Sequence, residues 1–480
     1  MKNKIIGALL VTLIFASGCK KWLDVKPKSI VEENQLFTTE KGFEDAMYGV
    51  YTTMANASLY GDQLTMSFLD VLAQQYDCST RPTHIFYQAS LYNYADATVK
   101  TRIAGVWDSM YNAIINVNNV LLKIDGKKGL FQSGNYELVK GEALGLRAFM
   151  HFDLLRMFGG AYATHPSQAA IPYVTTVSGG VTPLSTVSQI LDSVIADLTI
   201  ASGLLSGYKN IDANFAFETP NSQNDWLNRR QSHFNYWAAE ATLARVYLYK
   251  GDKQQALLHA TNLINSNMFT FETATRVTTY LDKTFIPEQV FALSKFNLRP
   301  QVQTYFHTPA GTISSNGDLD SRLTNDYGSG GVIDQIYEIA SGGVTDIRYA
   351  NLWQLSGNTY FCSKYWQDAP RQEFVNLVPL LRLPEMYYIA AECSDPATAT
   401  DYLNVVRKQR GVNDLPAGLD AAAIQNEILK EYQREFYAEG QMFYYYKRLN
   451  ISQIRFTTIP GSDKVYIFPL PDAELQYRRN

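Results

Sequence analysis

Apolar side chains recur at the spacing of an α-helix over most of this chain. Phe43, Ala46, Met47, Val50, Tyr51 and Met54 follow the i, i+3, i+4, i+7 rule, which gathers them on one helical face. Thr39 stands where such a helix needs an N-cap. Trp107, Met110, Tyr111, Ile114, Asn118 and Leu121 form a second stripe that ends near Gly126. Ala143, Leu146, Met150, Leu154 and Met157 form a third, stopped by Gly159-Gly160.

Three later segments read as helix–turn–helix hairpins. Trp237, Ala241, Ala244 and Leu248 make one face, Gly251-Asp252 turns the chain, and Ala256, Leu257, Ala260, Leu263 and Ile264 return. Alanines beside large residues let two helices approach closely, as in a tetratricopeptide unit. The segment 383–411 repeats the design, with Asp395 as N-cap and Pro396 in the first turn of its second helix. One helix from Asp420 to about Arg448 carries Ile424, Ile428, Tyr432 and Phe436. Insertions rich in Gly, Asn, Ser, Thr and Tyr separate these units, at 72–100, 164–185, 208–228 and 296–360. Long loops on a rigid frame are where function concentrates.

The N-terminus has a different pattern. Lys2 and Lys4 precede an uncharged apolar run from Ile5 to Phe15, followed by Ala16-Ser17-Gly18-Cys19. A basic n-region, an apolar h-region and a small-residue cut site make an export signal. The run is shorter than the ~20 residues that span a bilayer. A cysteine at the cut resembles a bacterial lipobox, in which cleavage precedes Cys19 and lipid is attached there. A plain secretory signal and an uncleaved anchor are the other readings. Several acyl chains on one residue hold a protein stably to a membrane.

Composition narrows the class. The 480 residues are 46% hydrophobic and 18% charged, as in folded globular proteins, and length alone allows about three domains. The net charge of −4 and the lack of a basic run argue against a nucleic-acid partner. Aromatic content is high at 13%, with 32 tyrosines that suit both cores and binding surfaces. If Cys19 is lipidated, Cys78, Cys362 and Cys393 allow at most one disulfide and a free thiol. Cys393 continues the stripe of Met386, Ile389 and Ala390 and reads as a core thiol. There is no CxxC, HExxH, nucleophile elbow or phosphate loop, and the six histidines lack metal-ligand spacing. No metal, cofactor or catalytic set is expected.

The segment after the lipobox, Lys20-Lys21-Trp22-Leu23-Asp24-Val25-Lys26-Pro27, opens a series of short motifs. Glu142-Ala143, Leu146-Arg147-Ala148-Phe149, Leu154-Leu155-Arg156-Met157-Phe158-Gly159-Gly160 and Ile171-Pro172 follow. Then come Ala244-Arg245-Val246-Tyr247-Leu248, Asp346-Ile347-Arg348 and Leu381-Arg382-Leu383-Pro384-Glu385-Met386-Tyr387. Ala391-Glu392, Leu403-Asn404-Val405-Val406-Arg407, Arg410-Gly411, Glu431, Arg434-Glu435-Phe436, Glu439-Gly440, Arg448 and Pro469-Leu470-Pro471 close the series. Each motif is unspecific alone, but the ordered set resembles the SusD/RagB family of Bacteroidetes outer-membrane lipoproteins. The resemblance implies a mainly α fold, with tetratricopeptide-like helix pairs in a right-handed frame and long irregular loop insertions. It implies a signal peptide at 1–18 and one SusD-like domain at 19–480, with ligand loops at about 72–100 and 296–360. The charged motif residues read as framework. Arg147, Arg156, Arg382, Arg407 and Arg434 stand on helices near Glu142, Glu385, Glu392 and Glu435, and charges on apolar helices need partners.

Members of that family sit over a SusC-like TonB-dependent transporter and present nutrient to it, usually an oligosaccharide and in some members a peptide. The resemblance therefore implies a binding protein rather than an enzyme, anchored by lipid in the outer membrane and facing the cell surface. Acidic residues after the lipidated cysteine favour surface display in some of these bacteria, whereas Lys20 and Lys21 follow here. The family's contact residues vary, so loop residues are nominated by chemistry: aromatic rings cover sugar C–H faces while polar groups bond the hydroxyls. The first loop offers Tyr76, His84, Phe86, Tyr87, Tyr92 and Tyr94 with Arg81, Gln88, Asn93 and Asp96. The second offers Tyr305, Phe306, His307 and Tyr327 with Asn316, Asp318, Arg322 and Asn325. Packing beneath a loop is the alternative role for any one of these aromatics. Trp22, Trp107, Trp237 and the run Tyr444-Tyr445-Tyr446 read as packing, while Trp353 fits either role. A lipoprotein glycosidase, needing two carboxylates about 5–10 Å apart on facing loops, and an envelope scaffold binding through a helical face are the competing classes.

Overall fold

A computed structural model describes residues 36–132, 134–177, 179–210, 225–306, 316–326, 331–368 and 375–479. The lipobox with Cys19, Trp22, His307 and Tyr327 lie outside the described residues.

Helix α1 (Glu40–Met54) starts at Thr39, whose Oγ1 accepts from Gly42 N at 3.1 Å, and buries Phe43, Met47, Val50, Tyr51 and Met54. Helix α2 (Ala97–Ile124) begins well ahead of its apolar stripe because Asp96 caps it. Helix α3 (Asn135–Phe158) is buried on nearly every face, as befits a central helix, and packs on α2 and on α4 (Val187–Leu205). The sequence reading missed α4, although Thr186 and Gln189 form a capping box at its start. Helices α5 (Tyr236–Lys250) and α6 (Lys253–Ser266) form the expected hairpin on Gly251, whose φ of +82° glycine adopts readily.

The described parts of the insertion at 296–360 hold helices and strands as well as loop. Around it come β1 (Gln289–Ser294), α7 (Leu298–Tyr305), β2 (Thr324–Asp326), β3 (Trp353–Ser356), β4 (Thr359–Cys362) and β5 (Leu377–Arg382). β1 pairs antiparallel with β5, and β2, β4 and β3 form an antiparallel sheet in that order. Helices α8 (Leu383–Glu392) and α9 (Pro396–Gln409) make the second hairpin, with Asp395 as its cap. The third segment departs from expectation. It is two helices, α10 (Ala421–Glu435) and α11 (Gln441–Arg448). The break is imposed from a distance: buried Asp70 accepts from Ala438 N and, at 3.0 Å, from Gly440 N, and both residues have positive φ. A final helix, α12 (Asp472–Arg479), lies beyond Pro469-Leu470-Pro471. The fold is mainly α, and sequence-adjacent helices pack in pairs, consistent with a tetratricopeptide-like arrangement.

Buried apolar side chains from Phe37 to Phe468 form one contiguous cluster, with two small satellites. Trp107, Trp237 and Tyr444-Tyr445-Tyr446 are inside it. Trp353 is half-buried, its ring 4.5 Å from that of Tyr437. Cys78, Cys362 and Cys393 are free thiols, and burial pushes the Cys362 thiol up to about 11, away from reactivity.

The framework arginines are paired, but mostly with partners the sequence order did not indicate. Arg147 forks onto Asp197 at 2.7 and 2.8 Å, while Glu142 takes Arg230 at 2.5 Å and the Tyr51 hydroxyl at 2.7 Å. Arg245 holds Glu385, Arg448 holds Glu392, and Arg407 meets Glu431 at 3.0 Å. Arg156 bonds Asp153 on its own helix. At the centre, Arg348, Arg382 and Arg410 surround Glu288, Glu431, Glu435 and Glu439 with no solvent exposure of the three guanidiniums.

Candidate ligand-binding site

The two nominated loops pack against each other. Asp77 N donates to Thr324 O at 3.0 Å and Ile85 N to Asp320 O at 2.9 Å. Arg81 bonds the Thr324 hydroxyl and pairs with Asp326 at 3.0 Å. The His84 ring accepts from Phe86 N, so its Nε2–H donates to Arg322 O at 2.9 Å; burial lowers its pKa and keeps it neutral. The result is one seam made from segments far apart in sequence.

Beneath the seam lie many of the aromatics nominated as contacts. Tyr76 is 2% exposed, with its hydroxyl on Met66 O and its ring against Phe306 and Tyr437. Tyr92 holds a left-handed backbone, φ +55°, and donates to Leu72 O. Tyr94 donates to Val465 O. Phe86, under the Arg102 guanidinium at 4.2 Å, packs on Tyr305, and Phe306 is fully buried. Tyr305 reaches Asp62, which also accepts from Ser67 and Gln301; burial raises that carboxyl to about 6. Tyr76, Phe86, Tyr92, Tyr305 and Phe306 are therefore corrected from contact residues to packing beneath the loops, because a ring without accessible face cannot stack on a sugar. Asp96 is the cap of α2, its Oδ1 accepting from Thr98 N and Val99 N. Asn325 is buried and donates to the Tyr437 hydroxyl.

The accessible rim is a smaller set. Tyr87 and Gln88 are half-buried, and exposed Asn93 donates to the Gln88 side chain at 2.8 Å. Arg81 and Arg322 are partly exposed, and Asp326 is exposed. The sequence reading missed two exposed apolar side chains, Ile85 at 44% and Phe296 at 85%. Phe296 had a signal: a large ring set between Lys295 and Asn297 just past a strand. Asn316 and Asp318 belong to the short 3-10 turn Asn316–Ser321. Among the described residues, no group of three His, Cys, Asp or Glu side chains could hold a metal ion.

The molecule is thus a helical frame carrying a loop seam of rings and hydrogen-bonding groups. Comparison with known proteins gives its family. A family profile described as starch-binding and associating with the outer membrane matches residues 21–248, and the SusD family profile matches 294–457. SusD-like protein P2 of Formosa agariphila is 23% identical, over 98% of this chain and 96% of the relative. A SusD superfamily protein from Bacteroides thetaiotaomicron superposes with a TM-score of 0.68 at 21% identity, covering 92% of this chain and 98% of its own. A laminarin-binding SusD-like protein gives 0.62 at 17%, covering 92% and 98%. The chain belongs to the SusD family.

Proposed function

We propose that this chain captures an oligosaccharide at the loop seam and delivers it to a SusC-like TonB-dependent transporter, without acting on it chemically or using a cofactor. In this reading residues 19–480 form one SusD-like domain, held by lipid on Cys19 in the outer membrane and facing outward. The observation that carries it is the seam itself, a preorganised base of buried rings under a rim of Arg81, Tyr87, Asn93 and Arg322. Such mixed surfaces suit sugars, whose rings have apolar faces and polar edges. The laminarin-binding neighbour and the starch-binding description support a glycan as the ligand class.

Calorimetry against a panel of neutral and acidic polysaccharide fragments and peptides tests this. A glycan is expected to bind. Ile85→Ala, Tyr87→Ala and Asn93→Ala combined should weaken it at least about tenfold, which is 1.4 kcal/mol. Tyr92 and Tyr94 are unsuitable for this purpose, because their truncation also removes packing and buried hydrogen bonds. Full affinity in a folded triple variant would remove the seam as the site, and cleavage of the glycan would make the chain an enzyme. The anchor is tested separately. Cys19→Ala should move the chain out of the membrane fraction after a high-salt wash; persistence there would count against lipidation.

A further inference from the structure

A groove runs between α2 and α12. Its wider part encloses about 370 Å³, within the range of roughly 300–1,000 Å³ typical of small-molecule sites. Trp107, Asp108, Tyr111 and Ile115 line it from one face of α2, and Glu474 and Tyr477 line it from α12. A hollow of about 240 Å³ continues it along α2 against Pro469, Leu470 and Pro471. Asp108 lines both, so the two adjoin.

We propose that this groove is a second saccharide site, taking a neutral oligosaccharide. The proposal rests on the reading of the chain as a glycan binder and adds a site apart from the loop seam. Tyr477 is 53% exposed, and its hydroxyl donates to Gly179 O at 3.1 Å, so its ring is held as a platform. Tyr111 is likewise fixed, donating to Pro172 O at 2.9 Å. Between these rings stand Asp108 and Glu474, acceptors for sugar hydroxyls. Burial, and then the charge of Glu474, push the Asp108 carboxyl above its ordinary value, so the two carboxylates share one field.

That field selects the ligand. The groove's basic groups among the described residues are already matched. Lys100 pairs with Asp472 at 3.0 Å, and Arg478 pairs with Glu474 at 2.6 Å and donates to Thr182 O at 2.9 Å. An acidic sugar would meet the Asp108 carboxylate, which no cation among the described residues pairs, with no cation left over, whereas neutral hydroxyls donate to it. Helices α2 and α12 wall the groove on two sides, and the irregular segment with Pro172, Val174 and Thr182 closes the third.

The test uses the full chain in detergent with laminarihexaose, maltohexaose and cellohexaose, each carrying a diazirine at the reducing end, and maps adducts by mass spectrometry. At least one probe should label residues 104–115 or 469–478, in competition with the unmodified sugar. Tyr477→Ala should cut that labelling at least tenfold, while Tyr477→Phe, which keeps the ring, should retain it. Adducts confined to 76–96 and 298–326 would overturn the groove and leave the seam standing. Groove labelling indifferent to both Tyr477→Ala and Asp108→Asn would overturn it too, as would preferential labelling by an acidic hexasaccharide or a hexapeptide. If no neutral probe binds, a positive panel result at the seam confines the failure to the groove, and silence in both experiments removes the glycan reading altogether.

Discussion

Arg410→Ala should lower the stability of the folded chain by about 3–5 kcal/mol, the cost of taking one cation out of a buried charge cluster. Arg410 is fully buried. It reaches both Glu288 oxygens at 2.7 Å and both Glu435 oxygens at 2.8 and 3.0 Å. Burial alone would raise the Glu435 carboxyl; Arg410, Arg382 and Arg348 outweigh it and hold it well below the usual range. The sign of the pH dependence follows. A carboxyl whose folded pKa lies below its unfolded value, about 4.3 for glutamate, stabilises the fold fully above that value and progressively less as pH falls. In Arg410→Ala the Glu435 carboxyl is held down less, so this loss should be smaller than in the parent chain, and the stability gap between the two should narrow as pH falls below about 4.3. Denaturant unfolding across pH 3–7, reading roughly that window, would measure both effects. Arg410→Lys should be intermediate, because an ammonium keeps the charge but not the fork. Arg147→Ala should fall in the same range as Arg410→Ala, since it leaves the buried Asp197 carboxylate without a cation, and Arg407→Ala should cost less, since Glu431 keeps Arg348 and Arg434. Unchanged unfolding in all three would mean that water reaches these pairs.

Gly440→Ala should cost about 3 kcal/mol or more. Its φ is +71°, strained for any residue with a Cβ, and an added Cβ would lie 2.1 Å from Leu64 O. Left-handed strain and overpacking each typically cost about 1–3 kcal/mol. Asp70→Ala should destabilise the same turn from the other side, by removing the acceptor of Ala438 N and Gly440 N. Gly203→Ala is the control: it lies in α4 with open space around it, and should gain about 0.5–1 kcal/mol from helix propensity. Equal melting temperatures for Gly440→Ala and the parent chain would show that the turn relaxes freely.

The helical pattern and its punctuation were legible in the chain. Thr39, Asp395 and Gly251 cap or end helices as read, and the apolar stripes are buried. These signals are local, arising from side chains within a few residues of each other. The ordered arginine and glutamate motifs likewise announced a paired framework, because a charge on an apolar face needs a partner somewhere.

Which partner, and which surface, only the tertiary structure decided. Arg147 and Glu142 are neighbours on α3, yet they pair with Asp197 and Arg230. The run from Asp420 to Arg448 carries a continuous helical pattern and is split by Asp70, far away in sequence. In the loops, composition promised rings and polar groups together but not which rings would face water. Tyrosine serves equally as a buried hydrogen-bonded prop and as an exposed platform, and the two roles look the same in sequence. Packing buried Tyr76 against Phe306 and Tyr437, Tyr305 against Phe86, and Tyr92 against the backbone of Leu72, and left Asn93 outside. Local propensity thus determined the elements of this protein, while contacts between distant segments determined its accessible chemistry.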